Sequence, residues 1–414
     1  MNMFENKRLL LIYAIVLIDV VVGAAITPVM PKFVQNLPHP ELWLSGATAL
    51  FLGVQLFSGP LLGKLADGLG RRPILILSTI GTLLANGFLL PLKAGLLMLN
   101  RFSDGITNGM FATVRSAITD ISPKDDLVKN LGIQGTIVSL GNVLGPMVSG
   151  VLLTLLTIAP AKEAHYVIYI GIGLSVLNVG LALLMRETCN EPSGLDRNKL
   201  RQTVVDSLNV TTLWRQVKDK DQEQPGLRTL VLIRVALALT QGYYTYFVTY
   251  LALSQLHFST KAISYFFIYY GGLSVITSFV FYKYLAQRVD QGRAVFWFAL
   301  LGVPVLAGYG FVGNSTAMLY GLITVDCLTI GLISGMVEGL IAQHTGDDDR
   351  GTVFGIVQGL QGFASLATTL LFGGLSALDL RLPFGWFALT LAGVLWLTYK
   401  ARSSAKQEPL AQPA

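Results

Sequence analysis

GKLADGLGRRP, residues 63–73, is a short basic segment early in the chain. It is rich in glycine, carries Lys64, Arg71 and Arg72, and stands between two uncharged runs, 44–62 and 74–92. A helix needs roughly 20 apolar residues to cross about 30 Å of hydrocarbon. Two such runs joined by a short basic turn read as neighbouring membrane helices, with glycines allowing a tight turn and close helix approach. Similar runs recur outward along the chain: 9–30, 95–118, 131–157, 165–185, 227–252, 262–284, 294–312, 316–341, 352–376 and 382–399. A barrel strand would be about ten residues of alternating polarity, and these runs do not alternate. The first run lacks a small-residue cleavage site and is expected to be a retained span, not a leader.

The composition excludes most alternatives. Of 414 residues, 52% are hydrophobic and 13% charged, against about 25% charged in ordinary soluble domains. The connections on one side each hold one cation at most: Lys32, Lys93, Lys162, Lys261 and Arg381. The other side holds Lys7, Arg8, Lys64, Arg71, Arg72, Lys124, Lys129, the basic residues of 186–228, Lys283, Arg288, Arg293, Arg350, Lys400, Arg402 and Lys406. By the positive-inside rule both termini are expected in the cytoplasm of an inner-membrane protein. The net charge of +6 is that bias and implies no nucleic-acid partner. Cys189 and Cys327 offer no disulfide framework, and His39, His165, His257 and His344 do not cluster as metal ligands. No phosphate-binding loop, serine elbow or zinc signature is present, so neither ATP nor any other cofactor is expected.

Residues 187–226 are polar, contain Pro192 and Pro225, and divide the twelve runs six and six. This predicts a bundle over 1–186, a cytoplasmic linker with an interfacial helix around Val204–Lys218, a second bundle over 227–402, and a cytoplasmic tail over 403–414. Laid without gaps on 341–359, residues 118–136 match Asp125 and Asp126 with Asp348 and Asp349, and Gly132-Ile133 with Gly355-Ile356. Chance could supply such short matches, but both segments fall in the same connection of each half, which favours a duplicated transporter.

In this setting the order of residues in 63–73 resembles the signature loop of the major facilitator superfamily, whose fold is two pseudo-symmetric six-helix bundles. The resemblance implies a cytoplasmic gate of Gly63, Asp67, Gly70, Arg71 and Arg72, with Asp120 at the end of span 4 completing a charge relay. Physically, Asp67 can cap or pair across the bundle, while Arg71 and Arg72 are expected at the lipid head-groups. In the second half Gln287 stands where Asp67 would align, which puts a matching latch there in doubt.

Arg101, Asp104, Asn108 and Arg115 recur at spacings that place them on one face of a continuous helix. Each charge near the bilayer centre would cost roughly 2.5–3.5 kcal/mol, so such groups face a cavity or a partner. A self-neutralising Arg101–Asp104 pair is the plainer alternative. Arg101-x-x-x-Gly105-x-x-x-Gly109 also resembles the family's span-4 motif, in which the arginine takes part in proton transfer; that motif requires no acid at 104. Gly141, Gly145, Pro146 and Gly150 in span 5 allow close helix contact. They resemble the Gly-Pro motif of the superfamily's antiporters, which implies export. Asp19-x-x-x-Gly23-x-x-x-x-Pro28-x-x-Pro31 resembles the first span of tetracycline-type exporters, where the acid matters for transport. A lone Asp19 could instead bond a neighbouring helix.

In the second half Arg234, Gln241, Asp326, Glu338, Gln358 and Gln361 are the intramembrane polar residues. Asp326, with Asp19, Arg101 and Asp104, is expected in proton coupling. Asn108, Arg115, Arg234, Gln241, Tyr244, Glu338, Gln358 and Gln361 are expected at a substrate cavity, Glu338 opposite Arg115. Tyr243, Tyr246, Tyr250, Tyr265, Tyr269 and Tyr270 either line helix contacts or give an amphiphile apolar walls. The expected function is proton-coupled efflux of a small amphiphilic compound by a monomer in the bilayer. Rival readings are an exporter or flippase of a siderophore, sugar or lipid, a proton symporter, and a sensor that moves nothing.

Overall fold

The computed structural model describes residues 7–407 except 124–125, 157, 160, 190–193, 195–201, 203–204, 207, 241–246, 249, 252–255, 286–287 and 346–349. Among these residues every regular element is helical: α1 (Lys7–Ala25), α2 (Pro40–Leu69), α3 (Arg71–Gly87), α4 (Ala94–Thr107), α5 (Met110–Ile121), α6 (Leu127–Leu155), α7 (Glu163–Leu184), α8 (Val210–Glu223), α9 (Leu227–Thr240), α10 (Thr260–Val280), α11 (Gln291–Tyr309), α12 (Thr316–Leu328), α13 (Ile330–His344), α14 (Arg350–Leu378) and α15 (Leu382–Gln407). A 3-10 turn, Thr27–Phe33, extends α1. In lipid a helix satisfies its backbone internally, which is why apolar runs become helices.

Nine segments among the described residues are long and apolar enough to cross a membrane. The other three expected spans have identifiable reasons for falling short. Helix α3 is 17 residues long, span 4 is divided between α4 and α5 at Asn108–Gly109, and span 7 is described as a helix only over the 14 residues Leu227–Thr240. The continuous helix expected for Arg101–Arg115 is therefore corrected: Arg101 and Asp104 are buried on α4, whereas Arg115 is exposed on α5 beyond the break. Span 10 is divided in the same way, at Thr329 between α12 and α13.

The chain sorts into two compact units, one of 1–208 with 248–271 and one of 209–247 with 272–414. Within the first unit two apolar clusters stand apart along the helices. One gathers Leu9, Ile12, Val16, Leu75, Val114 and Ala182; the other gathers Ile26, Val29, Leu89, Leu97, Val167 and Ile168. Between them α1, α3, α4 and α7 contribute the buried polar residues Asp19, Ser78, Thr82, Asn100, Arg101, Asp104, Ser175 and Asn178. This polar layer, enclosed above and below by hydrocarbon side chains, is the main feature of the unit.

The second unit has an aromatic core. Phe247 meets Tyr309 edge-on at 4.7 Å between ring centroids, and Tyr309 packs on Phe384 at 5.6 Å. The linker helix expected over 204–218 runs instead from Val210 to Glu223, because the Asn209 side chain caps it by accepting from the Thr211 and Thr212 N–H groups. Its apolar side, Leu213 and Val217, is buried. Leu213 lies against Gly359 of α14, and Val217 faces Val231 and Val353.

Candidate functional site

Asp19 is buried in the polar layer, and its Oδ1 has no hydrogen-bond partner. The Thr82 hydroxyl of α3 and the Asp104 carboxylate of α4 are the groups that act on it. Arg101 lies one turn from Asp104, with Nη2 4.0 Å from Oδ2. That separation is an ion pair without a hydrogen bond, and Nη2 makes none elsewhere. The guanidinium is held from its other side: Nε donates to Asn100 Oδ1 at 2.8 Å, and the charge stands 5.7 Å over the Phe51 ring. Asn100 is fixed in turn by donating to the Ala85 carbonyl at 2.9 Å. Two carboxylates and one guanidinium thus share a dry layer, the situation in which buried charge is expensive unless paired.

Glycine positions α4 against α2. A Cβ on Gly105 would sit 2.8 Å from the Phe51 carbonyl oxygen, and one on Gly109 would sit 2.7 Å from the Ser58 carbonyl. Ser58 Oγ donates to the Gly105 carbonyl at 2.7 Å, and Gln55 Nε2 donates to Asn108 Oδ1 at 2.8 Å. The span-5 glycines act similarly on α1. A Cβ at Gly145 would lie 2.5 Å from Ala24 Cβ and 2.7 Å from the Val21 carbonyl oxygen, and one at Gly141 would lie 2.8 Å from Val20 Cβ. Gly150 instead meets Ser264 and Ile268 of α10, and Ser149 Oγ donates to the Ala25 carbonyl at 2.7 Å. Most of the Gly-Pro stretch is therefore a seat for the helix that carries Asp19.

At the basic end Arg71 binds two acids, Asp67 through Nη1 at 2.5 Å and Asp120 through Nε at 3.1 Å. Arg71 is buried in this relay rather than lying at the head-groups as expected, and Arg72 Nη2 donates to the Leu183 carbonyl at 3.1 Å. Burial alone would lower the Arg71 guanidinium pKa, but the bonds to Asp67 and Asp120 outweigh it and raise the value.

Glu187 completes the group. Helix α3 begins after Gly70, which has no side chain to cap it, and the Glu187 carboxylate accepts from the Arg71 and Arg72 N–H groups at 2.8 and 3.1 Å. It also accepts from Thr188 and Cys189 N–H. Burial pushes the Glu187 carboxyl up, but these four donors outweigh it and hold it below the usual range. Gly70 has φ +101°, and an added Cβ would lie 2.5 Å from Glu187 Oε2, so the turn needs glycine for both conformation and space.

In the second unit Asp326 is fully buried in the last turn of α12 and accepts from the Tyr309 hydroxyl at 3.0 Å. Arg234 Nη2 binds Glu338 Oε1 at 2.6 Å and Nη1 donates to Ser334 Oγ at 3.3 Å. Glu338, expected opposite Arg115, thus has its ion-pair partner within its own unit. Gln358 is exposed and Gln361 partly so; Gln241, Tyr243, Tyr244, Tyr246 and Gln287 lie outside the described residues. Thr368, which stands where Gly-Pro would fall in span 11, donates to the Leu239 carbonyl at 2.7 Å and accepts from Trp386 Nε1 at 2.8 Å.

The model of the Major Facilitator Superfamily matches residues 9–369. The chain belongs to this superfamily. Among its curated relatives in the superfamily is tetracycline resistance protein, class H, of Pasteurella multocida, 24% identical over 95% of this chain and 92% of that one. Quinolone resistance protein NorA of Staphylococcus aureus (strain MRSA252) is 23% identical over 97% and 98%. Among solved structures, the human organic anion transporter MFSD10 (TETRAN) superposes with TM-score 0.66 at 17% identity, covering 95% of this chain and 99% of that one. A peptide transporter POT superposes with TM-score 0.72 at 14% identity, covering 98% and 96%. At such identities the superpositions show the fold of the superfamily, a multi-pass helical membrane protein, and nothing of the cargo.

For this superfamily member, sequence reasoning grouped Asp19, Arg101, Asp104 and Asp326 as proton-coupling residues; the structure brings the first three into one layer and puts Asp326 in the second unit beside Tyr309. It also joins Asp67, Arg71 and Asp120. The reading missed Glu187, Asn100, Thr82 and Tyr309. The available signal for Glu187 was a helix start at Gly70–Arg71 with no capping side chain nearby in sequence, since four leading N–H groups need acceptors.

Proposed function

We propose that the chain is a proton-coupled exporter of small amphiphilic compounds working by alternating access. The observation that carries this reading is the buried Asp19 carboxylate with an unbonded oxygen, on a helix seated by the glycines of α6 and beside Asp104, which pairs with Arg101. An acid so placed changes the local charge when it takes or gives a proton, and a conformational cycle can be biased by that change. The names of the relatives suggest a tetracycline or quinolone as cargo. Asp326 with Tyr309 is a second candidate proton site, and Arg234, Glu338, Gln358, Gln361, Asn108, Arg115, Gln241 and Tyr244 are candidates for cargo contact. The Asp67–Arg71–Asp120–Glu187 group is read as the cytoplasmic gate. The protein is placed in the inner membrane as a monomer with both termini and the 187–226 linker in the cytoplasm. One charge moving down 100 mV supplies roughly 2.3 kcal/mol, enough for a roughly fifty-fold gradient.

Purified protein in liposomes tests this directly. With an acidic lumen, tetracycline or a quinolone should accumulate while a trapped pH dye reports alkalinisation, and a protonophore should stop both. Cargo and protons moving in the same direction would overturn the antiport reading in favour of symport.

A further inference from the structure

The polar layer of the first unit contains one acid more than it has bases. We propose that Asp19 and Asp104 hold a single proton between them and that Arg101 fixes this number at one. The inference rests on reading the layer as the proton-coupling site and adds to it the stoichiometry and the role of Asp104.

Three observations carry it. The side chains of Asp104 and Arg101 are nearly enclosed, and Asp19 is 4% exposed, so none of the three charges is hydrated as it would be at a surface. Asp19 Oδ1 is a buried acceptor without a hydrogen-bond partner, which leaves a place for one added proton, and the unbonded Arg101 Nη2 is a donor that cannot take it. The elements around the layer bring no competing charge among the described residues. At this depth α3 presents Ser78 and Thr82, α7 presents Ser175 and Asn178, and α2 presents Phe51. Helix α6 presents Gly141 and Gly145. The charged group acting on Asp19 is Asp104, and Arg101 and Asp104 act on each other.

Electroneutrality then sets the count. With both carboxylates ionised the layer carries a net charge of −1, and two like charges close together cannot both remain ionised cheaply in a dry site. One proton, added from water to a carboxylate oxygen, leaves one carboxylic acid, one carboxylate and one guanidinium, and the layer is neutral; on Asp19 it leaves the Arg101–Asp104 pair intact. A second proton would leave Arg101 without a counter-charge. The two acids therefore titrate as one coupled site, and the proton belongs to the pair rather than to Asp19.

The count predicts a pattern of variants that a lone Asp19 would not give. Asp19→Asn or Asp104→Asn each leaves one carboxylate for one guanidinium, already neutral, so either variant should lose the proton. Arg101→Gln removes the cation, so neutrality then needs two protons. Infrared spectroscopy of purified protein over a pH series reads the protonated-carboxyl band directly and needs no cargo; difference spectra against wild type cancel Asp326 and Glu338. The expected result is loss of the same band in both single Asn variants, and an approximately twofold larger band in Arg101→Gln. The double variant Arg101→Gln/Asp104→Asn should regain a single proton on Asp19, and serves if Arg101→Gln does not fold. Retention of the wild-type band and midpoint in Asp104→Asn would overturn the proposal, as would two carboxyl bands of the layer titrating at separate midpoints in wild type. The liposome experiment fails or succeeds independently: a chain that exports nothing could show this pattern, and an exporter without it would refute only the shared proton.

Discussion

Asp19→Asn replaces a buried carboxylate by a neutral group of the same shape, so it removes a charge the fold must otherwise accommodate. The variant is expected to insert and purify with an unchanged or higher melting temperature and to lose proton-driven accumulation. Full coupled transport by Asp19→Asn in liposomes would take this residue out of the mechanism. Glu187 makes the opposite kind of contribution, because its charged form is the bonded one. Glu187→Ala should cost about 1 kcal/mol, as loss of a helix cap does, and should slow turnover by loosening the Arg71 group. A carboxyl held below its ordinary range stabilises the fold at pH above its unfolded value and loses that contribution as pH falls through its folded value. The difference in melting temperature between wild type and Glu187→Ala should therefore be full at neutral pH and shrink under acid. Asp19 could be picked out in the sequence because a charge in an apolar run needs a reason. Glu187 could not, because in a linker crowded with charges only the uncapped start of α3 distinguishes it.

Among the elements, the helices themselves were legible because lipid leaves the backbone no other arrangement. Their partners were less so. The Gly141–Gly150 series reads as close packing on spacing alone, but spacing does not say against what; the structure seats Gly141 and Gly145 on α1. The break at Asn108–Gly109 was hidden because no proline marks it and the polar residues on either side keep helical spacing. Gly145→Leu is expected to push on the backbone of Val21 and Ala25, which cannot rotate away as a side chain would, and to displace Asp19 with α1. Overpacking of this kind costs roughly 1–3 kcal/mol. The variant should lose exchange or leak protons without cargo, read by a trapped pH dye and labelled substrate; normal coupled exchange would refute the seating role.

For the whole molecule, the proposed orientation is open to a single labelling experiment. Cys189 is partly exposed in the segment after α7, and Cys327 is buried. A membrane-impermeant maleimide should label Cys189 in inverted vesicles and leave intact cells unlabelled; labelling from outside would reverse the topology. The proposed orientation rests on the charge bias of the sequence, whereas the polar layer depends on four helices meeting and emerges only in the fold. Span 4 also has a consequence for how such a protein can change over generations. Gly105 and Gly109 touch the backbone of α2, yet Phe102 and Ile106 on the same helix are 45% and 41% exposed. In a library of random substitutions the first pair should tolerate almost nothing and the second almost any apolar residue. If Asn108 and Arg115 contact cargo as proposed, adaptation to new cargo would be channelled towards such side chains, while the glycine contacts keep the helix register fixed.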